Sequence, residues 1–188
     1  MIKLPRTLRL DPSDLFVFER AAEPGEWAVS GSFLFWDEDV SALPAKRRVA
    51  FRSGFAGVRT LGFSTLVCVA EASEAERDEA VEMLATHIRE RFGAPSPEDA
   101  RGAAREEVAA AAALCGHPVG TILALHRTAE GGAIRERFRT LHAREPGAPG
   151  ADRLHAHARA FDIVEVDDDG PEERIDLAGL LSAPEAPR

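Results

Sequence analysis

The sequence predicts an α+β domain: a mainly antiparallel sheet with two consecutive helices packed on one face. Three observations predict it. Strand-like segments fill residues 6–72, a capped helix pair fills 73–116, and strand-like segments return over 119–166. Strict βαβ alternation is absent, which argues against a doubly wound nucleotide-binding fold. Nine of the twelve aromatic residues (Phe16, Phe18, Trp27, Phe33, Phe35, Trp36, Phe51, Phe55 and Phe63) fall in the first block and place the main core there.

Leu8 and Leu10 alternate with Thr7 and Arg9 as a first strand, and Asp11-Pro12-Ser13-Asp14 is a turn cluster. Residues 15–18 (Leu-Phe-Val-Phe) read as a second strand. After the turn Glu23-Pro24-Gly25-Glu26, residues 27–36 read as a third. Its Phe33-Leu34-Phe35-Trp36 is apolar on both faces, as in a covered central strand. Residues 48–52 alternate, with Val49 and Phe51 opposite Arg48, Ala50 and Arg52. Residues 60–70 read as one long buried strand.

Ser73-Glu74-Ala75-Glu76 is a capping box. Val81, Leu84, Ala85, Ile88 and Phe92 then form one apolar stripe, ended by Gly93. Ser96 and Pro97 start a second helix whose face is small: Ala100, Ala104, Val108, Ala111 and Cys115. Residues 119–125 read as a strand, and Glu130-Gly131-Gly132 as a hairpin turn. Residues 134–141 fit both periods, and the Gly-Gly turn favours a strand. A loop over 145–150, a last strand over 155–166, a helical turn over 175–181 and a frayed tail over 182–188 complete one domain.

The chain has 188 residues, 45% hydrophobic and 29% charged, long enough to bury a core without disulfides or metal. Its net charge of −9 repels phosphate backbones and anionic lipid, so neither nucleic acid nor membrane is an expected partner. The amino terminus lacks a secretory signal, and no apolar run is long enough to span a bilayer. Cys68 and Cys115 have no metal-type spacing and fit a reducing, cytoplasmic setting. Two lysines stand against 21 arginines, a coding bias that points to a bacterial source.

Leu4-Pro5-Arg6-Thr7-Leu8-Arg9-Leu10-Asp11-Pro12-Ser13-Asp14, with the continuation from Phe16 to Trp27, resembles an uncharacterised family of bacterial proteins of unknown function. The similarity is strongest over the first forty residues and implies no activity, cofactor or catalytic residue.

Four features carry candidate chemistry. His155 and His157 would share one face of a strand, and with His142 or His126 on a neighbouring strand could offer three nitrogens to a zinc-type ion, which would activate a water for hydrolysis. Glu165-Val166-Asp167-Asp168-Asp169-Gly170, with Asp176 at the twelfth position, imitates a calcium loop. It lacks the preceding helix, and a solvated acidic turn is the default. Arg135, Arg137 and Arg139 on one strand face could hold a carboxylate or phosphate, against an ion-paired outer surface. Residues 52–59, with Gly54 and Gly57, either expose amides to a ligand or form a flexible turn. Trp27 and Trp36 could line a pocket. No nucleophile elbow occurs. These features favour a small cytoplasmic accessory protein without catalytic activity or cofactor, binding a ligand or partner through its sheet. A homo-oligomer is expected, because the front aromatic block exceeds what two helices cover. The alternative is a metal-dependent hydrolase built on His142, His155 and His157.

Overall fold

The fold is described from a computed structural model over residues 1–131 and 133–141. In chain order its elements are β1 (Ile2–Leu8), α1 (Ser13–Val17), β2 (Ala28–Val29), α2 (Ala45–Ser53), β3 (Phe55–Gly57), β4 (Phe63–Ser64), β5 (Leu66–Ala72), α3 (Glu74–Phe92), α4 (Pro97–Ala113), β6 (Ile122–Glu130) and β7 (Ala133–Leu141), with 3-10 turns at Ser32–Phe35 and Val40–Ala42. Strands β1-β5-β6-β7 make a four-stranded antiparallel sheet, and β2-β3-β4 a three-stranded one. This is the expected α+β class. Helix α4 lies against β1 and β2, and α3 lies against α4.

The helix pair forms as its local signals dictate. Ser73 Oγ accepts from the Glu76 amide at 3.2 Å and the Glu76 carboxylate accepts from the Ser73 amide at 2.9 Å, closing the capping box. Ala80, Val81, Leu84, Ala85 and Ile88 of α3 bury against the stripe Ala100, Ala104, Val108 and Ala111 of α4 and the front aromatics. Phe92, at the end of the stripe, is half out in solvent, with its ring 5.5 Å from Phe33. Residues 134–141 are a strand, paired with β6 from Glu130↔Ala133 to Ile122↔Leu141.

Several predicted strands take other forms. Residues 15–18 belong largely to α1, which turns because Asp14 is drawn inward: its carboxylate accepts from Thr65 Oγ1 at 2.5 Å and from Ser64 Oγ at 3.3 Å. Phe16 is 70% exposed as a result. Of residues 27–36, only β2 is strand. Gly31, at φ +81°, then bends the chain into the 3-10 turn, where an added Cβ would lie 2.6 Å from that of Ala56. Phe33, Leu34 and Phe35 are all buried because packed structure surrounds the turn, which explains a run with no polar face. Residues 48–52 lie in α2, which buries Ala50 and Phe51 and exposes Val49, a helical pattern rather than an alternating one. The long strand over 60–70 is broken at Thr65 into β4 and β5, which belong to different sheets. Residues 119–121 precede β6, and Val119 is exposed.

The expected position of the core holds. Phe18, Phe33, Phe35, Phe51 and Phe63 cluster with the helix pair. Phe55 joins Ala28, Val67, Val69, Cys115, Leu123 and Leu125 between the two sheets. The aromatic block is therefore a core, but only partly a pleated layer. Among the described residues, no helix is long and apolar enough to cross a membrane.

Candidate functional site

The rear hairpin is tied to the front block by Arg127. Side chains directly opposite in an antiparallel pair share a face. Arg127 faces Glu136, and Leu125 faces Phe138, on the inner side. Arg127 is fully buried. Its Nε donates to Glu136 Oε1 at 2.8 Å, its Nη1 to the Phe51 carbonyl at 2.6 Å, and its Nη2 to the carbonyls of Ser30 and Gly54. One side chain of β6 thereby holds the end of α2, the start of β3 and the chain before Gly31. Burial, reinforced by the negative charge of Glu136, pushes the Glu107 carboxyl of α4 up to about 7, with Arg127 opposing the rise.

Beside this tie a cleft of about 600 Å³ opens between residues 32–41 and the turn end of the hairpin. Phe35, Val40, Ala129 and Ile134 supply apolar wall, and Glu38, Asp39 and Glu136 supply carboxylates. Trp36 stands on the cleft and is 74% exposed. Glu38 is held by a two-pronged ion pair with Arg47, whose guanidinium also donates to the Leu34 carbonyl and lies 4.3 Å from the Phe35 ring centre. Asp39 caps the second 3-10 turn, accepting from the Ser41 amide at 3.0 Å and hydroxyl at 2.6 Å. Those bonds hold its carboxyl below the ordinary pKa.

Trp27 lies apart from Trp36. It lines a separate recess of about 340 Å³ with Glu26, Arg59 and Met83, and the Arg6 guanidinium sits 3.9 Å from its ring centre. Buried Glu26 beneath it accepts from the amides of Glu23 (2.8 Å), Arg59 (2.8 Å) and Thr60 (3.0 Å) and from the Thr60 hydroxyl (2.6 Å). Four donors satisfy that carboxylate, so it reads as the clamp of the turn after β3. Residues 55–57 form the buried middle strand of the small sheet, neither a flexible turn nor an open amide cradle. The Gly57 amide donates to Gly62 and the Val58 amide to Trp27.

Arg135, Arg137 and Arg139 do share the outer face of β7, opposite Thr128, His126 and Ala124. Arg135 pairs with Glu130 at 3.3 Å. Partial burial, and then the charges of Arg52, Arg139 and Arg137, hold the His126 imidazole below its ordinary pKa. The arginine row and Trp36 thus occupy opposite sides of the hairpin, and the five predicted ligand residues do not converge on one site. Burial raises the thiols of Cys68 and Cys115, the latter to about 11, as expected of inert sulfurs. Among the described residues no group of three or more His, Cys, Asp and Glu side chains could hold a metal. His142, His155 and His157, the acidic run 165–176 and the elements expected over 145–188 lie outside the described residues.

A family of unknown function, DUF6505, matches residues 1–160. The chain belongs to DUF6505. The match extends far past the first forty residues, where the sequence resemblance is expected to be strongest, and takes in the cleft, the recess, the helix pair and the hairpin of this DUF6505 chain. No curated protein and no solved structure matches it. Sequence reasoning found Trp36 and the outward arginine row but missed Arg127, Glu107, Glu26 and the carboxylates of the Trp36 cleft. Arg127 carried a signal: it falls at the inward phase of β6, with Leu123 and Leu125, where a charge is out of place unless it has buried partners.

Proposed function

We propose that this chain is a non-catalytic accessory protein that recognises a partner protein or ligand in the Trp36 cleft. One observation carries the reading: an indole left in water on the wall of a 600 Å³ cleft, inside the size range of binding pockets. Covering such a ring is worth about 2 kcal/mol or more, and tryptophan is among the residues enriched at binding hot spots. The buried polar groups support the non-catalytic half of the reading. Asp14, Glu26 and Arg127 are each occupied in fastening one chain segment to another. The unpaired thiols fit a reducing cytoplasm, and the arginine-rich, lysine-poor composition fits a bacterial source. Exposed Leu10, Leu15 and Phe16 around α1 supply an apolar surface for a homo-oligomer.

A fragment library titrated into nitrogen-15-labelled full-length protein tests the cleft. Resonances of the Trp36 indole and of residues 32–41 should move together, and Trp36→Ala should abolish those shifts while leaving the thermal melt unchanged. Fragments that gather at Trp27 or on the outer arginines, with Trp36 unmoved, would refute the reading. Light scattering on the same sample reads the oligomer, and a monomer at micromolar concentration removes that part.

A further inference from the structure

We infer that the occupant of the cleft is a basic segment of a partner protein, anchored by an arginine whose guanidinium stacks on Trp36 and donates to Asp39 and Glu136. This rests on the reading of the cleft as the binding site, and it adds the chemistry of what binds. The charged residues on the lining, Glu38, Asp39 and Glu136, are all acidic. The two guanidiniums behind the wall are already occupied. Arg127 is spent on Glu136 and the carbonyls of Phe51, Ser30 and Gly54, and Arg47 on Glu38 and the Leu34 carbonyl. Glu38 and Glu136 are each neutralised by their guanidinium, and Asp39, whose carboxylate is bonded to Ser41 alone among the described residues, leaves the lining one net negative charge for an entering cation to meet.

The acceptors have capacity to spare. A carboxylate offers about four lone-pair sites. Glu136 gives Oε1 to Arg127, and Asp39 gives Oδ1 to Ser41, so each has a second oxygen to offer. The Ser41 hydrogen bonds keep Asp39 ionised. Trp36 adds the face of an indole, the best aromatic partner for a cation, and a flat guanidinium both stacks and donates in pairs where an ammonium does neither as well. The volume of 600 Å³ exceeds one side chain and leaves room for the residues flanking it. A net charge of −9 draws a basic segment in from a distance.

The test uses the full-length labelled chain and a blocked peptide, acetyl-Gly-Arg-Gly-Arg-Gly-amide, beside versions with citrulline or glutamate in place of arginine. The arginine peptide should move the Trp36 indole resonance and bind about tenfold or more tighter than the neutral citrulline peptide. Asp39→Asn keeps the Ser41 cap and removes one charge, and should weaken binding about three- to fivefold. Trp36→Ala should weaken it about thirtyfold or more, the equivalent of leaving that ring uncovered. Raising salt from about 50 to about 300 mM should weaken it further, as expected of solvent-screened charges. If the citrulline or glutamate peptide moves Trp36 as strongly, or the arginine peptide leaves it unmoved while small fragments still shift it, the basic occupant is wrong and the cleft reading stands. If neither peptides nor fragments move it, both fall.

Discussion

Replacing Arg127 with methionine tests the tie between the hairpin and the front block. Methionine keeps much of the apolar length of the side chain and removes the guanidinium, whose carbon lies 5.8 Å from the Phe35 ring centre and 5.9 Å from that of Phe51, so the loss is mainly electrostatic. Removing one partner of a buried ion pair costs roughly 3–5 kcal/mol, because the other charge is left without its counterpart. Glu136, with its side chain 22% exposed, keeps some water and stands toward the lower end of that range. The carbonyls of Phe51 and Ser30 also lose their donor, at about 1 kcal/mol each. Arg127→Met should therefore cost about 5 kcal/mol, comparable with the whole stability of a marginal domain. Urea unfolding followed by far-ultraviolet circular dichroism reads the loss directly. The double variant Arg127→Met/Glu136→Met should recover about 2 kcal/mol, since it removes the stranded charge as well. A single variant within about 1.5 kcal/mol of the parent, or a double variant no better than the single, would refute the tie.

Two further outcomes follow from the same geometry. Between pH about 4.5 and about 7 the folded chain keeps a proton on Glu107 that the unfolded chain has released, so this group makes stability fall as pH rises through that window. Glu107→Gln should match the parent near pH 4.5 and exceed it by up to about 3 kcal/mol above pH 7 in parallel urea titrations, and a gap widening toward acid would contradict this. Gly57→Ala would set a Cβ 2.3 Å from the Glu26 carboxyl carbon and force that carboxylate off its donors. A loss of about 2–4 kcal/mol in chemical unfolding is expected, and a change under about 1 kcal/mol would show that the clamp gives way easily.

What was legible in the sequence was what is local. The helix pair is bounded by Ser73, Gly93, Ser96 and Pro97, whose effects act within one turn, and the stripe between them needs no tertiary knowledge. The hairpin was legible because its turn and its inward Phe138 agree. The front block was not, because its hydrophobicity reports burial without reporting conformation. Phe33-Leu34-Phe35 is as apolar in a 3-10 turn enclosed by packing as it would be in a covered strand. Val49 and Phe51 imitate alternation, but it is Ala50 and Phe51 that turn inward once α2 packs on β6. Trp36 was visible as a residue, yet its cleft was not: the carboxylates beside it come from two segments nearly a hundred residues apart.

The placement of β5 has a consequence for how the chain is made. This apolar strand pairs with β1, already synthesised, on one side and with β6 on the other. The ribosome must deliver all of α3 and α4 before Ile122 emerges to occupy that second side. Throughout that interval the nascent chain carries an open ladder of amides and carbonyls beside Val67 and Val69, the kind of edge that recruits other strands. An edge left open in this way favours misassembly, and the arrival of the hairpin closes it.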